Sequence, residues 1–305
     1  MTQRAPRALI FWFLAIPLVV YATFVLIPAV NAFRYSLTRW DGLSEPVWVG
    51  LKNFRTIGSQ ASEFTTALWH NVYLMFVPGV FILTLALFFA YTIHRGIKGG
   101  RLFRIAFFFP NVISSVAVAI LWIYVYSAGE SGLLNGVLKG LFGTSVPAWV
   151  PVLGGEKLPY PFTQSDTLIQ ALTPMIVWTA TGFYMVLFLA AMENIPESYY
   201  EAAKLDGASN ARMFFTVTIP LMWDVLTTGI VFLVIGGLKI FDSVWVMENG
   251  HPKPPTHTMA TLMYTRVFEE YDIGLGTAIA VCLFVLVLLA TMISFRLLKR
   301  ERLEY

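Results

Sequence analysis

The chain has 305 residues, 57% of them hydrophobic and 13% charged, with a formal net charge of +3. Charged residues make up about a quarter of an ordinary soluble domain, so this deficit and a mean hydropathy of +0.68 point to a membrane protein and away from a soluble one. The basic residues are scattered rather than gathered into a stripe that would follow a nucleic-acid backbone, and the single cysteine, Cys282, excludes an intrachain disulfide and a CxxC or Cys/His metal site.

A membrane-crossing helix needs about 20 apolar residues, and six stretches meet that length: 9–33, 68–93, 103–126, 168–192, 217–240 and 274–297. The first follows Arg4 and Arg7 as a secretion signal would, but its apolar run from Ala8 to Val30 exceeds the roughly 7–15 residues of a signal core, and it reads as a retained span. Lys and Arg collect on the cytoplasmic side of such proteins. Here Arg4 and Arg7, the short loop with Arg95, Lys98, Arg101 and Arg104, the stretch with Lys204 and Arg212, and the tail with Arg296, Lys299, Arg300 and Arg302 all fall on one side. Both termini are therefore expected in the cytoplasm. The loops 34–67, 127–167 and 241–273, rich in proline and glycine, are expected outside.

Several polar residues lie within or at the ends of these spans. Asn111, Ser114 and Ser115 follow Pro110 in the third, Trp178, Thr181 and Tyr184 lie along the fourth, and Lys239 and Asp242 stand three apart at the outer end of the fifth. Charge inside a membrane is costly and marks a functional candidate; Lys239 and Asp242 can pair with each other or meet cargo. Asn and Ser can hydrogen-bond hydroxyls, and Trp and Tyr offer flat faces to sugar C–H groups. Helix–helix hydrogen bonding and an aromatic belt would use the same residues. With one lysine near the bore, an uncharged cargo is expected over an anionic one. The four histidines, His70, His94, His251 and His257, fall at span edges or in loops and are expected to be solvated or interfacial.

Between the fourth and fifth spans runs ESYYEAAKLDGASNARMFFTVTIP, residues 197–220. Pro196 suits the first turn of a helix, and Gly207 sits where a helix end favours a left-handed residue. A helix over 196–206 is expected, then a second short one capped by Ser209 through Phe215, with Pro220 interrupting it. Tyr199, Ala202, Ala203 and Asp206 recur at helical spacing. Glu197 and Glu201 are four apart and repel mildly, which a basic partner from another chain would relieve. From these residues alone, an amphipathic connector on the membrane and a docking knob for another protein are equally good readings.

EAAKLDGAS followed by FFTVTIPLM resembles the EAA loop of the membrane subunits of bacterial ATP-binding-cassette importers, especially maltose-permease-like subunits of binding-protein-dependent sugar transport. Glu201, Ala202, Ala203, Asp206, Gly207, Ile219 and Pro220 carry the match. A second stretch is similar to the same family: Phe241-Asp242, an outer turn ending at Pro252, then Phe268, Gly274 and Ala278. Gly250-His251-Pro252 departs from the family's Gly-Gly-Pro, and Asp224 stands where the family often has proline. The resemblance covers roughly 66–296. It implies an all-α membrane protein with six transmembrane helices, the type I importer membrane domain. The expected division is a cytoplasmic tail, first span and outer loop over 1–65, a five-helix core over 66–296 with the cytoplasmic coupling loop at 193–216, and a cytoplasmic tail over 297–305. It also implies that the segment 197–215 docks in a cleft of a separate ATPase subunit. The partners would be a second homologous permease subunit, two ATPase subunits and an extracytoplasmic substrate-binding protein, in a bacterial cytoplasmic membrane.

No G-x-x-x-x-G-K-[ST] loop, G-x-S-x-G elbow or H-E-x-x-H pair occurs. Gly274 and Gly276 read as helix-packing residues. The chain is thus expected to catalyse no bond chemistry and to bind no metal or cofactor, with ATP and Mg held by the partner ATPases. The expected function is half of a translocation path for a sugar or oligosaccharide. The same family would accommodate a glycerol-phosphate-like or other small polar solute. An ion-coupled secondary transporter is the alternative from another class; it would show an intramembrane carboxylate or a helix broken at mid-membrane.

Overall fold

The structure is a computed structural model that describes residues 7–59, 61–129, 132–150 and 153–299. The outermost parts of the two expected tails, with Arg4, Arg300 and Arg302, lie outside the described residues. The chain divides into two compact units. One comprises the described residues to Phe64 with Leu262–Val285, the other Thr65–Thr261 with the described residues from Leu286 onward.

In the first unit the opening span is α1 (Arg7–Tyr21), a π-turn at Ala22–Leu26 and α2 (Ile27–Tyr35). Its apolar stretch Trp12–Tyr35 buries no residue within this chain, as expected of a helix facing lipid or another subunit. A short hairpin follows, β1 (Thr38–Arg39) antiparallel to β2 (Val47–Trp48). Its turn is fixed by Asp41, whose Oδ1 accepts from the Leu43 and Ser44 amides and the Ser44 hydroxyl; these bonds, those from Ser44 foremost, pull its carboxyl pKa down to about 2. Helix α3 (Lys52–Ser59) carries buried Asn53, which donates to the carbonyls of Ser36 and Thr38. Two Arg266 nitrogens bond Glu63 and Glu270. A Cβ at Gly274 would overlap the Thr38 carbonyl, and one at Gly276 would overlap Val267. Both glycines are therefore packing residues.

The second unit is built around α8 (Leu168–Glu193), which has thirteen buried residues. About it lie the rest of α4 (Ala61–His94), α5 (Gly100–Val112), α6 (Ser115–Tyr126), α7 (Leu133–Phe142) and α12 (Trp223–Leu238). Close approach is made possible by glycine. A Cβ at Gly182 of α8 would overlap the Phe107 carbonyl of α5, and one at Gly237 would lie 2.6 Å from the Met75 Cα of α4. Asn71 of α4 donates to the carbonyls of Gly237 and Leu238 and accepts from the Met259 amide at 2.8 Å, joining α4, the end of α12 and the start of α14 (Met259–Tyr264). His70 Nδ1 lies 2.8 Å from the His257 carbonyl. His257 itself is buried, 3.3 Å from the Thr261 hydroxyl, which corrects the expectation that all four histidines are solvated or interfacial. At the other end Trp223 Nε1 donates to the carbonyl of Leu298, the last residue of α15 (Ile273–Leu298).

Five helical runs among the described residues are long and apolar enough to cross a membrane, and a bent pair makes a sixth. The third expected span, 103–126, is that pair. Helices α5 and α6 meet at 98° across Ile113 and Ser114, just after Pro110, which supplies no N–H to the ladder, with Ser114 extended at the start of α6. The fifth run extends beyond its expected end at 240 to Met247, through a joint at Lys239–Phe241 into α13 (Asp242–Met247).

Candidate coupling surface and translocation path

The stretch between the fourth and fifth spans forms α9 (Glu197–Leu205), a bend, α10 (Asn210–Met213), a π-turn at Phe214–Thr218 and α11 (Ile219–Leu221). Pro196 caps α9 from just outside, with extended backbone, rather than sitting in its first turn. Gly207 has φ +74. Its amide donates to the Lys204 carbonyl and the Ala208 amide to that of Ala203, the paired bonds of a Schellman motif. Ser209 accepts from the Arg212 amide as the cap of α10. Pro220 lies inside the short α11, and the helix breaks two residues later, at Met222, rather than at the proline itself. The Ile219 amide reaches back five residues to the Phe214 carbonyl, a π-type bond that carries the helix past the donor proline lacks. Pro28, after the π-turn of the first span, follows the same pattern.

The bend is anchored by side chains far apart in sequence. Tyr200 is 0% exposed, packs with Ile195 and Met213, and pairs its hydroxyl with that of Thr218 at 3.0 Å; burial pushes its phenol pKa up. Tyr91 of α4 and Arg95, the residue after its end, both donate to Asn210, and Arg104 of α5 pairs with Glu193 at the end of α8. Glu197, Glu201, Ala202, Asp206 and Gly207 are exposed, whereas Ala203, Ile219 and Pro220 are half-buried. Ala203 packs against the Tyr200 cluster, so it does not share an outward face with Ala202. Lys204 of the same helix lies 3.5 Å from Glu197; Glu201 makes no ion pair among the described residues. The sequence reading missed Leu205, an apolar side chain left 89% exposed at the end of α9. With Glu201 and Ala202 it forms one outward stripe at helical spacing.

The eight path candidates divide. Thr181 and Tyr184 are buried in α8; the Thr181 hydroxyl is bonded to its own helix at the Val177 carbonyl, and Tyr184 packs edge-on to Phe183. Asn111, Ser114, Ser115, Trp178, Lys239 and Asp242 are exposed within this chain. The Ser115 hydroxyl donates to Asp242 at 2.7 Å, so the Asp242 carboxylate is held across α6 and α13 and makes no ion pair with Lys239. That bond joins the α5–α6 break to the α12–α13 joint. Interrupted helices at membrane depth are tolerated where they pack against protein or line a polar cavity. Trp178 faces Trp122 with ring centroids 6.1 Å apart. The sequence reading missed Trp122, whose Nε1 is enclosed without a hydrogen-bond partner among the described residues.

Residues 82–303 match the family described as "Binding-protein-dependent transport system inner membrane component". The chain is 37% identical over 300 residues to a diacetylchitobiose uptake system permease protein of Streptomyces coelicolor, covering 93% of this chain and 80% of that one. It is 30% identical to a trehalose/maltose transport system permease protein of Thermococcus litoralis, covering 92% of this chain and 90% of the other. A chain from the crystal structure of a bacterial alginate transporter in complex with its pentasaccharide-bound periplasmic protein superposes with a TM-score of 0.75, at 20% identity and covering 96% of each chain.

Proposed function

Because the chain belongs to the family of inner-membrane components of binding-protein-dependent transport systems, we propose that its α9–α10 bend is the joint through which a separate ATPase drives transport. The chain is a multi-pass inner-membrane permease subunit of such an importer, part of a complex with a periplasmic binding protein, and not itself an enzyme. The cargo is a neutral sugar or oligosaccharide, a reading supported by the saccharides named for its relatives. The rest of the assembly is a second homologous permease subunit and two ATPase subunits below the membrane. Both chain ends face the cytoplasm; for the C-terminal end the placement is supported by the Trp223–Leu298 bond beside α11.

One observation supports the joint most. Tyr200 is buried within the bend and beside the ring of His94 at the end of α4, and Tyr91 and Arg95 hold Asn210, while Glu201, Ala202 and Leu205 of the same short helix are exposed. A body gripped on one face and bare on the other transmits push and pull. Closure of the ATPases would bring two such joints together and switch the permease pair between inward- and outward-facing states, a rigid-body change between two discrete arrangements. Ser115, Asp242 and Trp178 are the residues we assign to the path.

A helix broken at membrane depth is also what an ion-coupled carrier uses, so the energy source is tested directly. In vesicles holding the purified assembly and its binding protein, uptake is expected to require internal ATP and to ignore an imposed ion gradient. Uptake sustained by the gradient without ATP would overturn the proposal.

A further inference from the structure

A cavity of about 470 Å³ lies in the second unit, between the turn that leads into α8 and the end of α13. It is at the Leu168 end of α8, whereas the coupling bend follows Glu193 at the other; 26 residues at 1.5 Å each separate the two by about 39 Å. The lining is mostly polar. Thr163, Gln164, Ser165 and Asp166 come from the turn, and Glu248, Asn249 and Lys253 from the segment after α13, with Ile123 and Met247 as apolar patches.

Both polar walls are held by their own backbones. The amides of Gln164 and Thr167 close the turn on the carbonyls of Pro161 and Gln164. Thr256 accepts from the Lys253 amide and donates to its carbonyl, and Asn249 holds a left-handed φ of 55. Glu248 Oε1 is enclosed without a hydrogen-bond partner among the described residues. The carboxylate also sits where α13 ends, the pole of a helix that disfavours negative charge.

We propose that this cavity binds one end of a neutral saccharide at the outer mouth of the path, with Glu248 and Asp166 accepting from sugar hydroxyls. Gln164, Asn249 and Lys253 donate to the sugar oxygens, and Ile123 and Met247 meet its C–H face. The alternatives fit the lining less well. A bare metal ion would not tolerate the Lys253 ammonium among its neighbours, and an anionic cargo would face two carboxylates against one lysine. The assignment rests on the sugar-importer reading above and adds a site to it.

The test uses the assembled permease and ATPase complex in vesicles, in a Cys282→Ser background, with Thr163→Cys as the only cysteine of this chain. A membrane-impermeant maleimide added outside should react with it, and a neutral oligosaccharide at millimolar concentration should slow that reaction severalfold without the binding protein present. In the complete system Glu248→Ala should raise the KM for saccharide uptake about tenfold, the loss of a charged hydrogen bond. The affinity for the loaded binding protein should not change. Glu248→Gln, which keeps the size of the side chain, serves where Glu248→Ala does not assemble. Wild-type uptake without protection of the cysteine would overturn the cavity and leave the importer intact. A weakened hold on the binding protein in place of the KM change would also overturn it, making the cavity a protein contact. Failure of the wild-type assembly to take up any saccharide would overturn both readings together.

Discussion

Gly207→Val is expected to reduce ATP-driven uptake by at least about tenfold while the apolar spans still insert. The cause is backbone conformation alone. Gly207 holds φ +74, and nothing lies within 4 Å of a Cβ built there, so the larger side chain meets no neighbour. A left-handed conformation costs an L-residue roughly 1–2 kcal/mol, and a β-branched residue is the worst suited to it. The chain would escape the strain by unwinding the Schellman bonds Gly207–Lys204 and Ala208–Ala203, re-aiming α9 relative to α10. Gly207→Asn separates conformation from bulk, because asparagine enters the left-handed region more readily. Uptake in that variant should stay well above that of Gly207→Val. Equal uptake by wild type and Gly207→Val in the vesicle assay would show that the angle of the bend does not matter.

The second large effect is expected at Gly182. There α5 lies so close to α8 that a Cβ would overlap the Phe107 carbonyl and crowd the Phe108 Cα. Backbone cannot rotate away as a side chain would, so α5 must move as a body. That movement would pull apart the Phe89–Phe107 stack, with centroids 4.4 Å apart, and strain the Arg104–Glu193 pair at the inner end. Overpacking of this kind costs about 1–3 kcal/mol, and Gly182→Val should exceed Gly182→Ala. The control is Gly136→Ala in α7, also helical, where nothing lies within 4 Å; alanine is there the better helix former by about 1 kcal/mol. Thermal unfolding of the purified subunit should show a clear loss for Gly182→Val and none for Gly136→Ala. An unchanged midpoint for Gly182→Val would mean that α5 does not rest on α8 in this way.

Much of this was readable from residue pattern alone because membrane helices announce themselves by length. A run of about 20 apolar residues has few other uses, and Gly207 signals a helix end through its own chemistry. What stayed hidden depends on partners distant in sequence. That Tyr200 is buried follows from Thr218, eighteen positions on; helical spacing set Ala203 on one side with Tyr199, and Tyr199 is exposed whereas Ala203 packs on the Tyr200 cluster. The 98° break in the third span was masked by apolar residues on both sides of Pro110 and Ser114. Lys239 and Asp242 looked like an ion pair by spacing, but Ser115, 127 positions before Asp242, takes the carboxylate. Likewise Thr181 and Tyr184 suited a sugar path by residue type, and only the packing of α8 shows them buried.

Coupling of this kind requires the bare stripe of α9 to touch an ATPase. Leu205→Cys in a Cys282→Ser background offers the most exposed point of that stripe to a short thiol-reactive cross-linker in the intact assembly. The expected product is a covalent permease–ATPase pair, formed in the presence of the binding protein and lost when the ATPase is stripped away. A cysteine at 205 that reacts with an impermeant reagent added outside, or that joins only the binding protein, would contradict it.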